Sequence, residues 1–291
     1  MSDLLAKTRE ICRLFEIKPA HSKGQNFLIN EKIYDDIIKA ADITADDIVL
    51  EVGPGLGFLT AKLAMQAKKV IAVELDEKLA GYLQMGIDSQ DIENVSVINE
   101  NILDFDLGAY FKREKLPLKY KIVANLPYNI SSVFLRRFLT AVHKPEIMVL
   151  MLQKEVVERI VATPPDMSVL AISVQYYATP RLIREVKAGN FWPEPKVDSA
   201  VIRIDRKPLE AIDAVAETIP KTEKEFFRIV KIGFSSKRKM LKNNLAAGLR
   251  VEPKIIESAL AQAGIKPAAR AEDLLLEDWQ KLFAALTPFM V

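Results

Sequence analysis

The stretch that decides the fold is Ile48-Val49-Leu50-Glu51-Val52-Gly53-Pro54-Gly55-Leu56-Gly57. Its first five residues form a short, nearly continuous apolar run, which is typical of a strand buried on both faces of a parallel sheet. The glycines that follow permit a tight turn and let the backbone approach a ligand closely. A helical pattern covers residues 58–67. A buried strand, a glycine-rich turn and a helix in this order indicate an α/β fold.

Strands and helices continue to alternate after this unit. A second strand at residues 70–73 ends at Glu74, and a helix begins near Asp76. Further strands are predicted at residues 95–98, 121–124 and 147–152, and a last one at 199–205. This alternation predicts an α/β domain with a mostly parallel sheet.

The two ends of the chain have a different pattern. An amphipathic helix in residues 1–20 and a polar loop around Gly24 form an N-terminal arm over residues 1–30. At the other end, a linker starts at Lys207-Pro208 and has Pro220 near its end, and residues 222–286 have a helical pattern throughout. We therefore expect an α/β domain over residues 1–205 and a small all-helical domain over residues 206–291.

The glycine-rich turn is open to three interpretations. It is a plain strand-to-helix turn, a dinucleotide site, or a loop similar to the S-adenosylmethionine loop of Rossmann-like methyltransferases. A dinucleotide fingerprint requires its third glycine one residue later than Gly57, and no Gly-Lys-Ser/Thr of a P-loop follows. Glu74 lies seventeen residues after Gly57, where a carboxylate accepts hydrogen bonds from ribose hydroxyls. The acidic residue before the first glycine favours the methyltransferase loop.

A second motif, Asn125-Leu126-Pro127-Tyr128, directly follows a predicted strand. Open α/β sheets build their sites at the carboxyl ends of strands. An asparagine oxygen and a backbone carbonyl can accept the two N–H bonds of an adenine N6 amine and direct its lone pair at a methyl donor. The tyrosine offers a stacking face for the base. The alternative is an ordinary turn, since Asn and Pro are common in turns.

The composition excludes several classes of function. The 291 residues are 49% hydrophobic and 27% charged, as in ordinary globular proteins. Cys12 is the single cysteine, which excludes an internal disulfide and fits a reducing cytosol, so we expect a cytoplasmic protein. Only two histidines are present, so no metal site is expected. No apolar run is long enough for a membrane span.

The net charge of +2 is unevenly distributed. Residues 226–251 contain no acidic residue and seven basic ones. The basic residues in this segment are Arg228, Lys231, Lys237, Arg238, Lys239, Lys242 and Arg250. Such a concentration of positive charge predicts contact with a polyanion such as nucleic acid, and the candidate residues for this contact are Arg228, Lys237, Arg238, Lys239 and Lys242. The alternative is a solvated helix face.

Several segments together resemble the ribosomal RNA adenine dimethyltransferases, specifically those of the small subunit (16S) associated with kasugamycin sensitivity. The segments are Gly24-Gln25-Asn26-Phe27-Leu28, the glycine loop, Asn125 to Tyr128, Phe191-Trp192-Pro193-Glu194-Pro195-Lys196-Val197-Asp198-Ser199-Ala200-Val201 and Ser236-Lys237-Arg238-Lys239-Met240-Leu241-Lys242-Asn243-Asn244-Leu245. The resemblance covers nearly the whole chain. It implies a Rossmann-like S-adenosylmethionine-dependent catalytic domain followed by an RNA-binding helical domain.

The resemblance also implies roles for individual residues. The cofactor is expected to contact Asn26, Leu28, Gly53, Gly55, Gly57, Glu74, Asn101 and Asn125. The catalytic residues are expected to be Asn125, Leu126, Pro127, Tyr128 and Phe191, with Tyr128 and Phe191 on opposite faces of the target base. The implied substrate is a pair of adjacent adenosines in the 3′-terminal hairpin of 16S rRNA within the 30S subunit. We expect a monomer with a role in ribosome biogenesis.

One residue departs from the usual family pattern, and two alternative functions are left open. Asn101 stands where family members usually have aspartate, and its amide oxygen can still accept a hydrogen bond from the cofactor adenine. One alternative function is that of a large-subunit rRNA adenine methyltransferase, an enzyme that has the same fold and confers macrolide resistance. A non-catalytic assembly or transcription factor is the alternative from another class, although the intact Asn125–Tyr128 motif favours an enzyme.

Overall fold

The computed structural model describes residues 2–19, 25–208 and 223–289. Gly24 and most of the predicted linker, including Pro220, lie outside the described residues. The chain forms two compact units. The first unit comprises Met1–Val157 and Arg181–Arg206, and the second comprises Glu158–Pro180 and Lys207–Val291.

The first unit is built on a seven-stranded sheet. In chain order its strands are β2 (Ile48–Val52), β3 (Lys69–Glu74), β4 (Val95–Asn99), β5 (Lys121–Asn125), β6 (Ile147–Gln153), β7 (Ala178–Val186) and β9 (Ser199–Arg206), while β1 (Phe27–Leu28) and β8 (Phe191–Trp192) form a separate two-stranded ribbon. The spatial order in the sheet is β4–β3–β2–β5–β6–β9–β7. The pairs from β4 to β6 are parallel, and β9 is antiparallel to β6. The predicted mostly parallel Rossmann-like sheet is confirmed.

Helices cover this sheet. They are α1 (Ser2–Leu14), α2 (Glu31–Ala41), α3 (Phe58–Ala64), α4 (Glu77–Asp88), α5 (Leu107–Arg113) and α6 (Ser131–Leu139), followed by α7 (Lys154–Ile160), within which the chain enters the second unit. The continuous apolar runs of β2 and β5 are buried because helices lie over them, as in other parallel sheets. Asn30 and Asp76 start α2 and α4 by accepting hydrogen bonds from backbone N–H groups of the first turn.

The second unit is helical. Its helices are α8 (Val169–Tyr177), α9 (Glu223–Gly233), α10 (Leu241–Leu249), α11 (Pro253–Gln262) and α12 (Leu276–Leu286). They pack around the fully buried Trp279, whose ring stacks on Phe234 with centroids 5.6 Å apart. Gly233 lets the helices approach, because a Cβ at this position would lie 2.3 Å from the Trp279 ring. None of the helices among the described residues combines the length and apolar character needed to cross a bilayer.

The structure differs from the sequence prediction in two places. Residues 158–180, which the prediction gave to the α/β domain, group with the helical unit, because Met167, Ala171 and Ile172 join its core. In addition, the sheet contains a strand that the sequence prediction lacks. This strand, β7, comes before β9 in the chain and lies at the edge of the sheet. Its exposed charged residues, which suit an edge strand, hide the strand pattern.

Candidate active site

The glycine loop leaves β2 at the carboxyl end of the sheet and leads into α3. Gly53, Gly55 and Gly57 all have positive φ, at 67°, 57° and 80°. A side chain is strained in this region of conformational space. At Gly57 it is also obstructed, because a Cβ would lie 2.6 Å from Leu83 Cδ1. The loop therefore depends on glycine for both its turn and its packing against α4.

Glu74 holds this loop in place from the end of β3. One carboxylate oxygen accepts a hydrogen bond from the Gly55 N–H at 3.1 Å, and the other accepts one from the Asp76 N–H at 2.9 Å. The side chain is buried. Burial raises the pKa of the Glu74 carboxyl, and the two backbone N–H donors oppose that shift. Each carboxylate oxygen keeps a further lone pair for a ligand hydroxyl.

Asn125 occupies the equivalent position at the end of β5, on the other side of β2. Its Nδ2 donates a hydrogen bond to the carbonyl of Asn26 at 3.4 Å, which links the motif to the N-terminal arm. The Asn125 carbonyl lies beside Gly53, 3.6 Å from the position that a Cβ there would take. Directly after it, Leu126 donates its N–H to the Met151 carbonyl at 3.2 Å. These contacts fix the motif against both β2 and β6.

The two strand ends border one cavity. Its lining residues are Gln25, Asn26, Phe27, Leu28, Tyr34, Glu51, Gly53, Pro54, Gly55, Leu56, Phe58, Leu59, Glu74, Leu75, Asp76, Leu79, Asn125 and Pro127. Most of the residues expected to contact a cofactor are among them. Gly57 and Asn101 do not line it. Among the predicted catalytic residues, Asn125 and Pro127 line it, whereas Leu126, Tyr128 and Phe191 do not.

Tyr128 is half-buried next to the cavity and is oriented by a hydrogen bond. Its hydroxyl lies 2.8 Å from Ser199 Oγ, and Ser199 is fully buried in β9. Burial raises the pKa of the Tyr128 phenol. The phenol therefore stays neutral at physiological pH, and its ring is held from the hydroxyl end.

Phe191 belongs to the hydrophobic core in this structure. It is 4% exposed, pairs with Leu28 in the two-stranded ribbon and packs in the cluster that contains Tyr34 and Met151. Its contact with a target base stays a prediction. Trp192, the next residue, is partly exposed, and the Arg9 guanidinium lies over its ring at 5.9 Å from the centroid.

Asn101 makes its hydrogen bonds within its own turn. Its Nδ2 donates to Asp104 at 2.7 Å, and its Oδ1 accepts from the Leu103 N–H at 3.1 Å. The Oδ1 atom retains one lone pair as an acceptor. The expected contact with the cofactor adenine stays a prediction.

The sequence prediction missed several residues of the cavity. Tyr34 and Leu79 come from the helices α2 and α4, and Leu75 and Asp76 follow Glu74 directly. The position of Asp76 between a strand end and a helix start was the available signal for its role as a helix cap. Helix residues such as Tyr34 reach the cavity through packing, which sequence spacing does not reveal.

The basic segment lies in the second unit, where it spans most of α9, the connection after it and α10. Arg228, Lys237, Arg238 and Lys239 are exposed. Lys242 instead forms an ion pair with Glu257 of α11 at 2.8 Å, so a carboxylate outside the segment offsets part of its charge. For Lys237, Arg238 and Lys239 no ion pair is found among the described residues.

Sequence comparisons match this chain to one family of proteins. The sequence model of the ribosomal RNA adenine dimethylase family matches residues 18–287. A ribosomal RNA small subunit methyltransferase A from Dehalococcoides mccartyi is 42% identical over 279 residues, covering 96% of this chain and 92% of its own length. One from Clostridium botulinum is 37% identical over 277 residues, covering 94% of this chain and 96% of its own length.

Solved structures give the same result. A dimethyladenosine transferase from Plasmodium falciparum has a TM-score of 0.76 at 27% identity, covering 90% of this chain and 98% of that one. The 23S rRNA methyltransferase ErmE has a TM-score of 0.71 at 26% identity, covering 90% of this chain and 100% of that one. The match of the family model over nearly the whole chain means that this protein belongs to the ribosomal RNA adenine dimethylase family.

Proposed function

We propose that this enzyme uses S-adenosylmethionine to dimethylate the N6 amines of two adjacent adenosines near the 3′ end of small-subunit rRNA, in the cytoplasm. The observation that carries the proposal is that Glu74 and Asn125, on strands flanking β2, line one cavity with the glycine loop. The names of relatives at 37–42% identity support the small subunit as the target.

The residues of the cavity fit this cofactor. Gly55 has no side chain, so its backbone borders the cavity directly. A Cβ at this position would already lie 3.4 Å from the Phe27 ring. Glu74 would accept hydrogen bonds from the ribose hydroxyls, and Asn26, Leu28 and Gly53 would contact the rest of the cofactor. When bound, S-adenosylmethionine supplies an electrophilic methyl group.

The chain's own residues would orient the target amine. Because Asn125 Nδ2 donates to the Asn26 carbonyl, its Oδ1 is the atom available to accept an N–H from adenine. The backbone after Asn125 is held by the bond from Leu126 to β6 and by Pro127, whose φ is −55°. Tyr128 would stack on the base. The methylated amine is acidic enough to lose its proton to water, so no side-chain base is needed.

The direct test uses labelled S-adenosylmethionine with unmethylated small and large ribosomal subunits, followed by mapping of the modified nucleotides. We expect two dimethylated adjacent adenosines near the 3′ end of small-subunit rRNA. Label in the large subunit alone would favour the alternative suggested by the similarity to ErmE. Asn125→Ala should abolish transfer while largely keeping cofactor affinity, and replacement of the exposed Gln66 by alanine serves as a control. Parent-like turnover of Asn125→Ala would contradict its role.

We further propose that the exposed basic segment of the second unit contacts rRNA phosphates. Phosphate contacts position a protein without selecting a sequence, and they make binding dependent on salt. Replacing Lys237, Arg238 and Lys239 by glutamine should weaken subunit binding and flatten its salt dependence, with cofactor affinity unchanged. A matched control neutralises three exposed lysines elsewhere in the same unit, at Lys254, Lys266 and Lys281. An unchanged salt slope in the first variant would mean that other residues hold the RNA.

A further inference from the structure

A second carboxyl group lines the cavity and has no role in the mechanism above. Glu51, the last residue but one of β2, is 1% exposed and lines the cavity. Neither of its carboxyl oxygens has a hydrogen-bond partner among the described residues. Burying an unpaired polar group costs free energy, and a charged one costs more. A buried carboxyl of this kind, in a ligand cavity, is a candidate functional group.

The groups that face Glu51 do not neutralise it. The Thr60 hydroxyl of α3 is near enough to lower the pKa of Glu51, but the two do not form a hydrogen bond of ordinary geometry. In the part of the chain that the structure describes, Thr60 Oγ1 also lacks a partner. The Tyr34 hydroxyl of α2 donates elsewhere, to the Leu28 carbonyl at 3.0 Å. The nearby charged group is the Glu74 carboxylate of β3. Burial, and then repulsion by Glu74, raise the pKa of Glu51 to about 8.

We propose that Glu51 is the counter-ion by which the cavity distinguishes the methyl donor, which has a net positive charge, from its product, which has no net charge. This inference rests on the proposed use of S-adenosylmethionine. In the ligand-free protein Glu51 holds a proton, and binding of the cationic donor releases that proton to the solvent and leaves a carboxylate. The carboxylate, which is 1% exposed, then faces a positive charge where little water screens the attraction.

The donor and the product differ in charge by one unit. S-adenosylmethionine has a sulfonium, an ammonium and a carboxylate, whereas S-adenosylhomocysteine has a neutral thioether in place of the sulfonium. Loss of the sulfonium charge removes the reason for Glu51 to stay ionised. Reprotonation of Glu51 then weakens retention of the product. Repeated methyl transfers to one substrate require such an exchange of product for donor.

Proton release on binding is the direct measurement. Titration calorimetry of the full chain with S-adenosylmethionine, in buffers of different ionisation enthalpy, counts the released protons. Because the pKa of Glu51 is about 8, we expect release approaching one proton at pH 7 and affinity that rises up to about tenfold per pH unit between pH 6 and 7.5. S-adenosylhomocysteine should release much less.

The variant Glu51→Gln keeps the shape of the side chain and removes its titration. It should still bind the donor but release almost no protons, and its preference for donor over product should fall. The exposed Glu77→Gln, which removes one charge at the start of α4, should behave as the parent does. Equal proton release with donor and product in the parent, or undiminished release in Glu51→Gln, would overturn the proposal. Absence of any donor binding by the parent would instead refute the proposed function.

The ligand-free protein gives an independent measurement. A carboxyl whose pKa is raised on folding stabilises the folded state fully below its unfolded pKa of about 4.5, and this contribution is lost as the pH rises through about 8. The free energy of unfolding should therefore fall with pH over this window in the parent. The fall should be smaller in Glu51→Gln. Identical pH profiles of the two proteins would show that Glu51 does not hold a proton.

Discussion

Replacement of Glu74 by alanine tests the cofactor site at its centre. The carboxylate accepts hydrogen bonds from the Gly55 and Asp76 N–H groups, at 3.1 and 2.9 Å. Its expected ligands, the ribose hydroxyls, would use the remaining lone pairs. The substitution Glu74→Ala thus removes the ribose contacts and leaves two backbone donors of the loop without their acceptor.

The size of the effect follows from these bonds. A hydrogen bond to a charged group contributes about 1.5–3 kcal/mol net to the free energy of binding. The cost of burying the Glu74 carboxylate, which raises its pKa, offsets part of that contribution. We expect affinity for S-adenosylmethionine to fall by about 1–3 kcal/mol, or roughly 5- to 150-fold. Glu74→Gln should lose less, because its amide oxygen still accepts one N–H. Its amide nitrogen, however, faces the other donor.

Calorimetry with a cofactor analogue lacking the ribose 2′-hydroxyl separates ribose contacts from loop anchoring. If Glu74 binds that hydroxyl, its removal weakens binding to the parent but not to Glu74→Ala, and the two losses are not additive. The exposed Glu93→Ala is the control for removal of a carboxylate from the same unit. Unchanged affinity in Glu74→Ala, or full additivity of the two losses, would refute the ribose role.

Three further predictions concern positions around the cavity. Gly57→Ala should lower the free energy of unfolding by about 1–3 kcal/mol, because its φ of 80° is strained for alanine and its Cβ would lie 2.6 Å from Leu83; an unchanged denaturation midpoint would contradict this. Asn101→Asp should leave cofactor affinity unchanged or tighter in calorimetry, although it loses a hydrogen bond to a neighbouring carboxylate; a large loss would show that its assigned role is mistaken. Ser199→Ala should slow methyl transfer about fivefold at unchanged cofactor affinity, since it removes one hydrogen bond that orients Tyr128. Tyr128→Phe removes the same hydrogen bond and should give the same loss of rate. Parent-like rates in both variants would contradict the orienting role.

The central sheet could be predicted because its strands are continuous apolar runs between turn signals. Ile48–Val52 and Lys121–Asn125 agree with the predicted strands to within one residue. The edge strand Ala178–Val186 could not be found in the same way, because most of its exposed side chains are charged or polar. The grouping of residues 158–180 with the helical unit could not be foreseen, since their apolar residues pack with helices far along the chain, which no local pattern reveals.

The residues of the candidate site could likewise be predicted only in part. Motif residues at strand ends, such as Glu74 and Asn125, could be placed from the sequence because the carboxyl ends of parallel strands meet at one edge. Contacts between segments distant in sequence could not be foreseen. The hydrogen bond between Tyr128 and Ser199 is one example. Another is the burial of Glu51 without a hydrogen-bond partner among the described residues. Both depend on which side chains the helices and β9 bring alongside the strands.

The order of the strands also couples the two halves of the proposed reaction. β2 lies between β3 and β5, so the glycine loop adjoins Glu74 on one side and Asn125 on the other. Asn125 in turn donates to the carbonyl of Asn26, in the N-terminal arm that borders the same cavity. A ligand that contacts Asn26 thereby also acts on the amide that is to accept the adenine amine, since the Asn26 carbonyl holds that amide. The cofactor cavity and the acceptor for the amine are therefore coupled through Asn26.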